Sequence, residues 1–576
     1  MEKEKFFGNL IAGTFVVLFL ASFYYQVVRY WYYLDQSKRQ AYRTIDEGTP
    51  RGEIRDRNDR VLVRDIECFN LIFFPHDLRN PIEAAAEVAR ITGLEYERVK
   101  EAFTRTYRNP FDRIILKKRL SPEERARIME RVLYGVEVYA GRDREYVLGD
   151  KCAHVIGYVG EFSSEEMPFY RPRGFKPGDE IGKQGLEKMY DDFLRGISGG
   201  VVVRVDALGH HRQVVGKTSS KPGNSLVLTI DQTLQEIASE ELGSTRGCVV
   251  AMDPNNGQIL AMVSRPAFDP SAVARALGKP GDPFLNRAIQ GAYPPGSIFK
   301  IVTEIAALES GAIDEHTRIE CTGSMVVGDR PFRCWKQEGH GWLDIDLALP
   351  FSCNIFFGTV GMRTGQEKLV EYARQFRLGM PTGIDLPGER RGDVPLPNAP
   401  AELSGGPLQL AIGQGSLTTT PLQLASLIAT VANGGNIWKP YVVRRILNEK
   451  NEVVRETSPF LQGTVFISPE TLDILKRGLK NVVAFGTGGG ARLKEVEVCG
   501  KTGTAQRGTA DSGMKTMGSF ACYAPAERPS VAMVVCLDEG ASPEAARIAG
   551  RILRRVFTAT QDETFNETEF WPREEG

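Results

Sequence analysis

A chain of 576 residues leaves room for several domains with sizeable cores. Its 72 basic and 73 acidic side chains bring the net charge to −1, so it lacks the basic surplus that marks a nucleic-acid binder. No internal repeat or low-complexity tract interrupts the chain.

Phe6 to Val28 runs more than twenty residues without a charge, enough to cross a bilayer core as a helix. Tyr30-Trp31-Tyr32-Tyr33 beyond it suits a membrane interface. Tyr24-Tyr25-Gln26 offers no small-residue cleavage site, which predicts a retained anchor and not a removable signal. Residues 34 to about 65 read as a polar stalk leading into Val61-Leu62-Val63. A helical insert follows. Asn80-Pro81 is expected to cap a run of Ala84, Ala85, Val88 and Ile91 that stops at Gly93, and Ser121-Pro122-Glu123-Glu124 has capping-box spacing. From 141 to 222 the chain turns glycine-rich and strand-like. There Gly196-Ile197-Ser198-Gly199-Gly200 mimics a nucleophile elbow, but it leads into Val201-Val202-Val203, where an elbow needs a helix. Ser225-Leu226-Val227-Leu228-Thr229-Ile230-Asp231 opens the next domain, and an acidic, loose tail is expected after Thr560.

Three short words in that last domain carry chemistry. In Ser297-Ile298-Phe299-Lys300, prolines precede the serine and a helical apolar run follows to Gly311. The serine therefore sits at a helix N-terminus, where N–H groups and the helix dipole favour negative charge. Residues three apart share a face, so Lys300 is placed beside the Ser297 hydroxyl. It can act as a base only if burial or a neighbouring cation lowers its pKa, and Lys501 is a candidate for that cation. In Ser352-Cys353-Asn354, the serine and asparagine would face a cleft and the cysteine would turn away. Lys501-Thr502-Gly503, with Thr504, reads as a strand edge that binds a carboxylate, Gly503 leaving space for an incoming chain. The N–H groups of Ser297 and Thr504 are the natural pair for an oxyanion hole. The S-x-x-K, S-x-N and K-T-G set is the signature of β-lactamases and penicillin-binding proteins. Gly500-Lys501-Thr502 also echoes a phosphate loop, but Glu495 stands where that motif requires glycine.

The nine cysteines divide in two. Six lie scattered among apolar neighbours as small core residues. Cys321, Cys334 and Cys353, with His340, cluster around the second word. Three thiolates and an imidazole suit a tetrahedral structural Zn2+, although their spacing is not that of a standard finger. A disulfide between two of the three, or three unlinked buried thiols, are the alternatives. A metal behind Cys353 would fix Ser352 and Asn354 in place.

With these words on the page, the chain resembles the class B penicillin-binding proteins, most of all the penicillin-binding protein 2 type used in cell elongation. Arg51-Gly52-Glu53-Ile54-Arg55-Asp56-Arg57-Asn58, Ala153-His154-Val155-Ile156-Gly157-Tyr158-Val159, Gly182-Lys183-Gln184-Gly185-Leu186-Glu187, Val250-Ala251-Met252-Asp253-Pro254 and Ala411-Ile412-Gly413-Gln414-Gly415 extend the likeness over nearly the whole chain. The resemblance implies a multidomain α+β fold. Residues 1–33 would form a cytoplasmic tail and transmembrane anchor, and 34–222 a non-catalytic, dimerisation-type pedestal with a helical head at about 66–145. Residues 223–560 would form a transpeptidase domain with an antiparallel sheet flanked by helices, and 561–576 the tail. The catalytic part would lie on the extracytoplasmic face of the bacterial inner membrane.

It also implies a mechanism. Ser297 attacks the penultimate D-alanine of a donor stem peptide, Lys300 takes its proton, and Ser352 helps protonate the leaving D-alanine. Lys501 and Thr502 hold the terminal carboxylate, and Asn354 orients the peptide. An acceptor stem peptide then completes the cross-link, and β-lactam antibiotics mimic the donor. No cofactor is required for this chemistry. Some relatives are similar in holding zinc at the cysteine cluster, with aspartates in place of Cys321 and Cys334. Implied partners are a SEDS-family glycosyltransferase and elongation scaffold proteins, met through the membrane helix and head. Rival readings are a β-lactamase or β-lactam sensor, a D,D-carboxypeptidase, and a non-catalytic activator of the glycosyltransferase.

Overall fold

The computed structural model describes residues 2–34, 42–46, 49–107, 114–131, 133–163, 165–170, 175, 179–197, 199–205, 211–327, 330–401, 406–507 and 515–559. The expected acidic tail and Ser198 of the elbow-like run lie outside them. An N-terminal helix, Glu2–Phe23, continues into a wider turn, Tyr24–Val28. Its Phe6–Val28 stretch is long and apolar enough to cross a membrane, and no protein packs against it.

The catalytic half is built on a five-stranded antiparallel sheet in the order Ile259–Arg265, Gly247–Met252, Val531–Leu537, Lys515–Ala524, Cys499–Arg507. Alternate residues of a strand face opposite sides. Val249, Ala251, Met533 and Val535 therefore pack on one side with the helices Gln232–Leu242 and Ser542–Ala559. Val250, Met252, Val534 and Cys536 join the larger core on the other, where the helix Pro421–Ala432 lies. Strands buried on both faces read as continuous apolar text, as in Val531–Leu537. Cys499–Arg507, which carries the third word, is the edge strand of this sheet.

A second sheet changes the expected layout. It runs Val453–Glu456, Val443–Leu447, Ser225–Leu228, Ile54–Arg55, Val61–Phe73, Ile114–Lys117, with Val136–Tyr146 also on Val61–Phe73. The stretch expected as a polar stalk thus holds a strand, Ile54–Arg55, too short for any periodicity to reveal. Ser225–Leu228, expected to open the catalytic domain, pairs in parallel with Ile54–Arg55 and antiparallel with Val443–Leu447. One sheet therefore ties the two halves together. A third, three-stranded sheet joins Tyr42–Asp46, Gly200–Val205 and His211–Thr218.

Two of the words quoted for the family resemblance meet at this joint. Arg51 Nε lies 2.6 Å from Glu187 Oε2, and Arg144 Nε 2.8 Å from Glu187 Oε1. Arg51 also reaches Asp191 (2.7 Å) and Arg144 reaches Asp65 (2.9 Å). The Glu187 side chain has no exposed surface, and both of its oxygens are paired. Burial alone would raise its pKa, but the Arg144 and Arg51 charges outweigh that and hold the carboxyl below its usual range.

The head packs the helices Pro81–Thr92, Tyr96–Thr104 and Pro122–Met129 against the long strands, around Phe73, Val88, Val99 and Phe103. Ser121 and Glu124 form the capping box. Asn80 departs from expectation. It takes a left-handed φ of 49° and its side chain makes no capping bond, so Pro81 alone marks the start.

Candidate active site

The first word begins as a tight turn. Gly296–Phe299 forms a 3₁₀ turn that runs into the helix Lys300–Glu309. Gly296 sits at φ +55°, and a Cβ there would come within 2.6 Å of the Thr504 carbonyl oxygen. Only glycine permits so close an approach to the third word. Gly413 plays the same part from a third segment, where a Cβ would lie 2.1 Å from the Gly296 carbonyl oxygen. At Gly503 a Cβ would strike Ser519 Oγ at 2.3 Å and the Pro295 carbonyl oxygen at 2.9 Å, so its bareness seats the strand on the serine's turn.

These contacts frame a cleft of about 1130 Å³ with Ser297 half-buried in its wall. Ser352, Asn354, Thr502 and Thr504 line it too. Ser352 has a left-handed φ of 52°, unusual for a residue with a side chain. Asn354 opens the helix Asn354–Thr364, capped by the Cys353 sulfur, which accepts from Phe356 N–H. The second word therefore stands at a helix start. Cys353 turns away from the cleft and is fully buried.

Both lysines lie beneath the surface, with no exposed area. Lys300 Nζ donates to the Ser352 carbonyl (2.7 Å), Ser352 Oγ (3.2 Å) and Asn354 Oδ1 (2.8 Å). Ser297 is one residue short of a full turn away but is not among these partners. Lys501 Nζ donates to Ser352 Oγ as well (2.9 Å) and to the Thr502 carbonyl (3.1 Å). One serine hydroxyl thus bridges two buried amines. Burial pushes Lys300 down to about 7, against the opposing pull of Cys353 and Cys334. Burial, then the Lys300 charge, pushes Lys501 well below its usual range, and Glu304 opposes this. Glu304, four residues after Lys300 on the same helix, is 1% exposed and its Oε2 has no hydrogen-bond partner.

Sequence reasoning missed several cleft residues. Thr487 Oγ1 lies 2.6 Å from Thr502 Oγ1, and Thr504 Oγ1 donates to Ser542 Oγ at 3.0 Å. Arg333 and Trp335 line the cleft as well. Thr487 sits in a glycine-rich turn and Ser542 opens a helix, contexts common to ordinary structure, so neither carried a signal.

Behind the second word, the ligand atoms of Cys321, Cys334, His340 and Cys353 all lie within 4.8 Å of one another. Sulfur to His340 Nδ1 is 3.5 Å from Cys321 and 3.6 Å from Cys334, and Cys334 to Cys353 is 4.0 Å between sulfurs. A tetrahedron with Zn–S of ~2.3 Å and Zn–N of ~2.0–2.1 Å has edges of about 3.8 Å (S–S) and about 3.6 Å (S–N). The donor set fits that ion in both geometry and chemistry. All nine cysteines are unlinked, so the disulfide alternative is not formed.

The model of the penicillin-binding protein transpeptidase domain matches residues 247–558, and that of the penicillin-binding protein dimerisation domain matches 46–228. The peptidoglycan D,D-transpeptidase MrdA of Acinetobacter baumannii is 32% identical, covering 94% of this chain and 86% of its own. The stage V sporulation protein D of Bacillus subtilis is also 32% identical, covering 88% and 77%. Among solved structures, the Helicobacter pylori penicillin-binding protein PBP2 in complex with MreC superposes with a TM-score of 0.75 at 25% identity, over 90% of this chain and 100% of that one. A chain from a peptidoglycan synthase complex that coordinates polymerization and crosslinking gives 0.70 at 26%, over 97% and 98%. With both family models placed along it and relatives aligned over most of its length, the chain belongs to the class B penicillin-binding proteins, in the penicillin-binding protein 2 branch of the elongation machinery.

Proposed function

We propose that Ser297 is the nucleophile through which this chain, a D,D-transpeptidase, cross-links peptidoglycan stem peptides. The observation that carries the assignment is the amine of Lys300, wholly buried just after the serine's turn, where burial pushes its pKa down to about 7 and leaves a large share of it unprotonated at neutral pH. Ser297 Oγ loses its proton towards Lys300 and attacks the carbonyl of the donor's penultimate D-alanine. The oxyanion forms against the N–H groups of Ser297 and Thr504, brought together by the bare Gly296. Ser352, bridging both amines, passes a proton to the leaving D-alanine. Asn354 holds the peptide, and the Thr502 and Thr504 hydroxyls face the terminal carboxylate. Lys501, fully buried, acts on that carboxylate from behind Thr502 and not by direct contact. An amine of a second stem peptide then displaces Ser297, forming the cross-link and returning the proton.

A β-lactam resembles the donor and would acylate Ser297. The Cys321, Cys334, His340 and Cys353 cluster would hold a structural Zn2+, fixing Ser352 and Asn354 through the residue between them. The apolar N-terminal helix would cross the inner membrane once with the catalytic half on the extracytoplasmic face. The kinship with a penicillin-binding protein solved with MreC, and with a synthase complex, supports an elongation scaffold protein and a SEDS-family glycosyltransferase as partners.

Intact-mass spectrometry after penicillin exposure tests the assignment. A lasting adduct on the wild type and none on Ser297→Ala is expected. An adduct lost within minutes would point to a hydrolase, and no adduct on folded protein would leave the regulator reading in front.

A further inference from the structure

The cleft has an electrostatic shortfall. A stem peptide brings at least one carboxylate, yet both catalytic lysines are wholly buried and spend their protons on Ser352, Asn354 and Thr502. Among the described residues that line the cleft, the only charged side chain is Arg333. It is exposed, and among the described residues no carboxylate pairs with it.

Its backbone, by contrast, is held on every side. Arg330–Arg333 is a strand paired with Ser324–Val327, Arg333 lying opposite Ser324. The Arg333 carbonyl accepts from Asn354 Nδ2 at 3.5 Å, a long bond but one that links it to the second word. The next residue, Cys334, is buried in the cysteine cluster and donates its N–H to the Gly323 carbonyl at 2.8 Å. After it, Trp335 donates its indole N–H to the Phe351 carbonyl at 2.9 Å. A free guanidinium on a fixed backbone is preorganised for an anion. In a cleft otherwise lined by neutral groups it concentrates the field there. The planar fork matches a carboxylate with two parallel hydrogen bonds.

We propose that Arg333 anchors a carboxylate of the stem peptide. This rests on the transpeptidase reading and names the substrate group which that site selects. The carboxylate has two sources: the donor's C-terminus, or an acidic side chain at the third residue.

The full chain in detergent, as wild type, Arg333→Ala and Arg333→Lys, distinguishes them. Two rates are measured: acylation of Ser297 by benzylpenicillin, and D-alanine release from synthetic stem peptides whose third-residue carboxylate is free or amidated. Penicillin carries the counterpart of the terminal carboxylate and no third residue. If Arg333 reads the terminus, Arg333→Ala slows penicillin acylation and both peptides by roughly 10- to 100-fold, the weight of a charge-assisted hydrogen-bond pair. If it reads the side chain, penicillin acylation is spared, while the wild-type preference for the free carboxylate over the amide disappears. In either case Arg333→Lys, which keeps the charge and loses the fork, falls between. An exposed side chain is not needed for folding, and matching melting curves check this. Wild-type rates and an unchanged peptide preference in Arg333→Ala would overturn the proposal alone. A wild type that neither binds penicillin on Ser297 nor releases D-alanine would overturn the transpeptidase reading, and this proposal with it.

Discussion

Two of the buried charge clusters among the described residues are wired in opposite ways. At the joint, Glu187 has each oxygen on a different arginine, and the arginines find further carboxylates in Asp191 and Asp65. In the catalytic half, two lysine amines converge on one neutral hydroxyl, and the nearest buried acid, Glu304, leaves an oxygen without a partner. The joint keeps its groups charged and pins two halves of the chain together. The active site keeps its amines short of protons. Burying an ion costs several kcal/mol unless close opposite charge repays it. The joint meets that condition, whereas the catalytic cluster evades it by shifting its pKa values. A buried, incompletely paired set of titratable groups in a cleft marks chemistry, and a complete one marks architecture.

The contrast breaks most sharply at Lys300. Lys300→Met removes the proposed general base, so acylation of Ser297 should fall by about 10²–10⁴-fold. Melting should hardly move, because relief of a desolvated amine offsets the lost hydrogen bonds to Ser352 and Asn354. In the wild type the free amine is required, so acylation should rise with pH through about 7 and then level. A flat profile from pH 6 to 8 would remove Lys300 as the base. Glu187→Gln reverses the pattern. It takes from Arg51 and Arg144 the buried carboxylate they share and leaves each with a single acidic partner, at a cost of about 3–5 kcal/mol. The melting temperature falls, while the protein still folded acylates at the wild-type rate. The wild-type Glu187 contribution is present above the usual carboxylate pKa and is lost as pH falls through its depressed folded value. The difference between wild type and Glu187→Gln should therefore shrink in acid, as melting curves across pH would record.

The cysteine cluster stands between the two extremes, structural in wiring but one residue from the chemistry. Cys334→Ser should abolish stoichiometric zinc in the purified protein, measured by atomic emission, and lower the melting temperature by several degrees. Acylation should fall less than in Lys300→Met, because Ser352 and Asn354 lose their support and not their identity. A variant with full zinc and unchanged melting would dismiss the cluster as a metal site.

How much of this was legible follows from the range of each signal. The helix of Ser297, the capping box at Ser121 and the apolar strands announce themselves within a dozen residues, where periodicity and caps act. The three words were legible because each is a short run of residue types with fixed chemistry. What the text could not show is what lies across the cleft. The burial of Lys501, the Gly503 contact with Pro295 and the bond of Thr487 to Thr502 all join segments far apart in sequence. The strand Ile54–Arg55 failed for another reason. Two residues carry no period, and its place depends on Ser225–Leu228, some 170 residues on.

The smallest expected effect sharpens the comparison most. Burial raises the Glu304 carboxyl well above its ordinary range, with Asp346 adding to the rise and the Arg477 and Lys501 charges opposing it. A raised folded pKa stabilises the fold fully below the unfolded value, and that stabilisation is lost as pH climbs through the folded one. Glu304→Gln keeps the shape and removes the titration. Its melting temperature should therefore match the wild type in acid and exceed it modestly in mildly alkaline buffer. Were Glu304 instead a fully ionised partner of Lys501, wired like Glu187 to its arginines, Glu304→Gln would lose stability at neutral pH and regain parity in acid. The sign of the difference at neutral pH decides whether the catalytic half carries a hidden ion pair or a buried neutral acid.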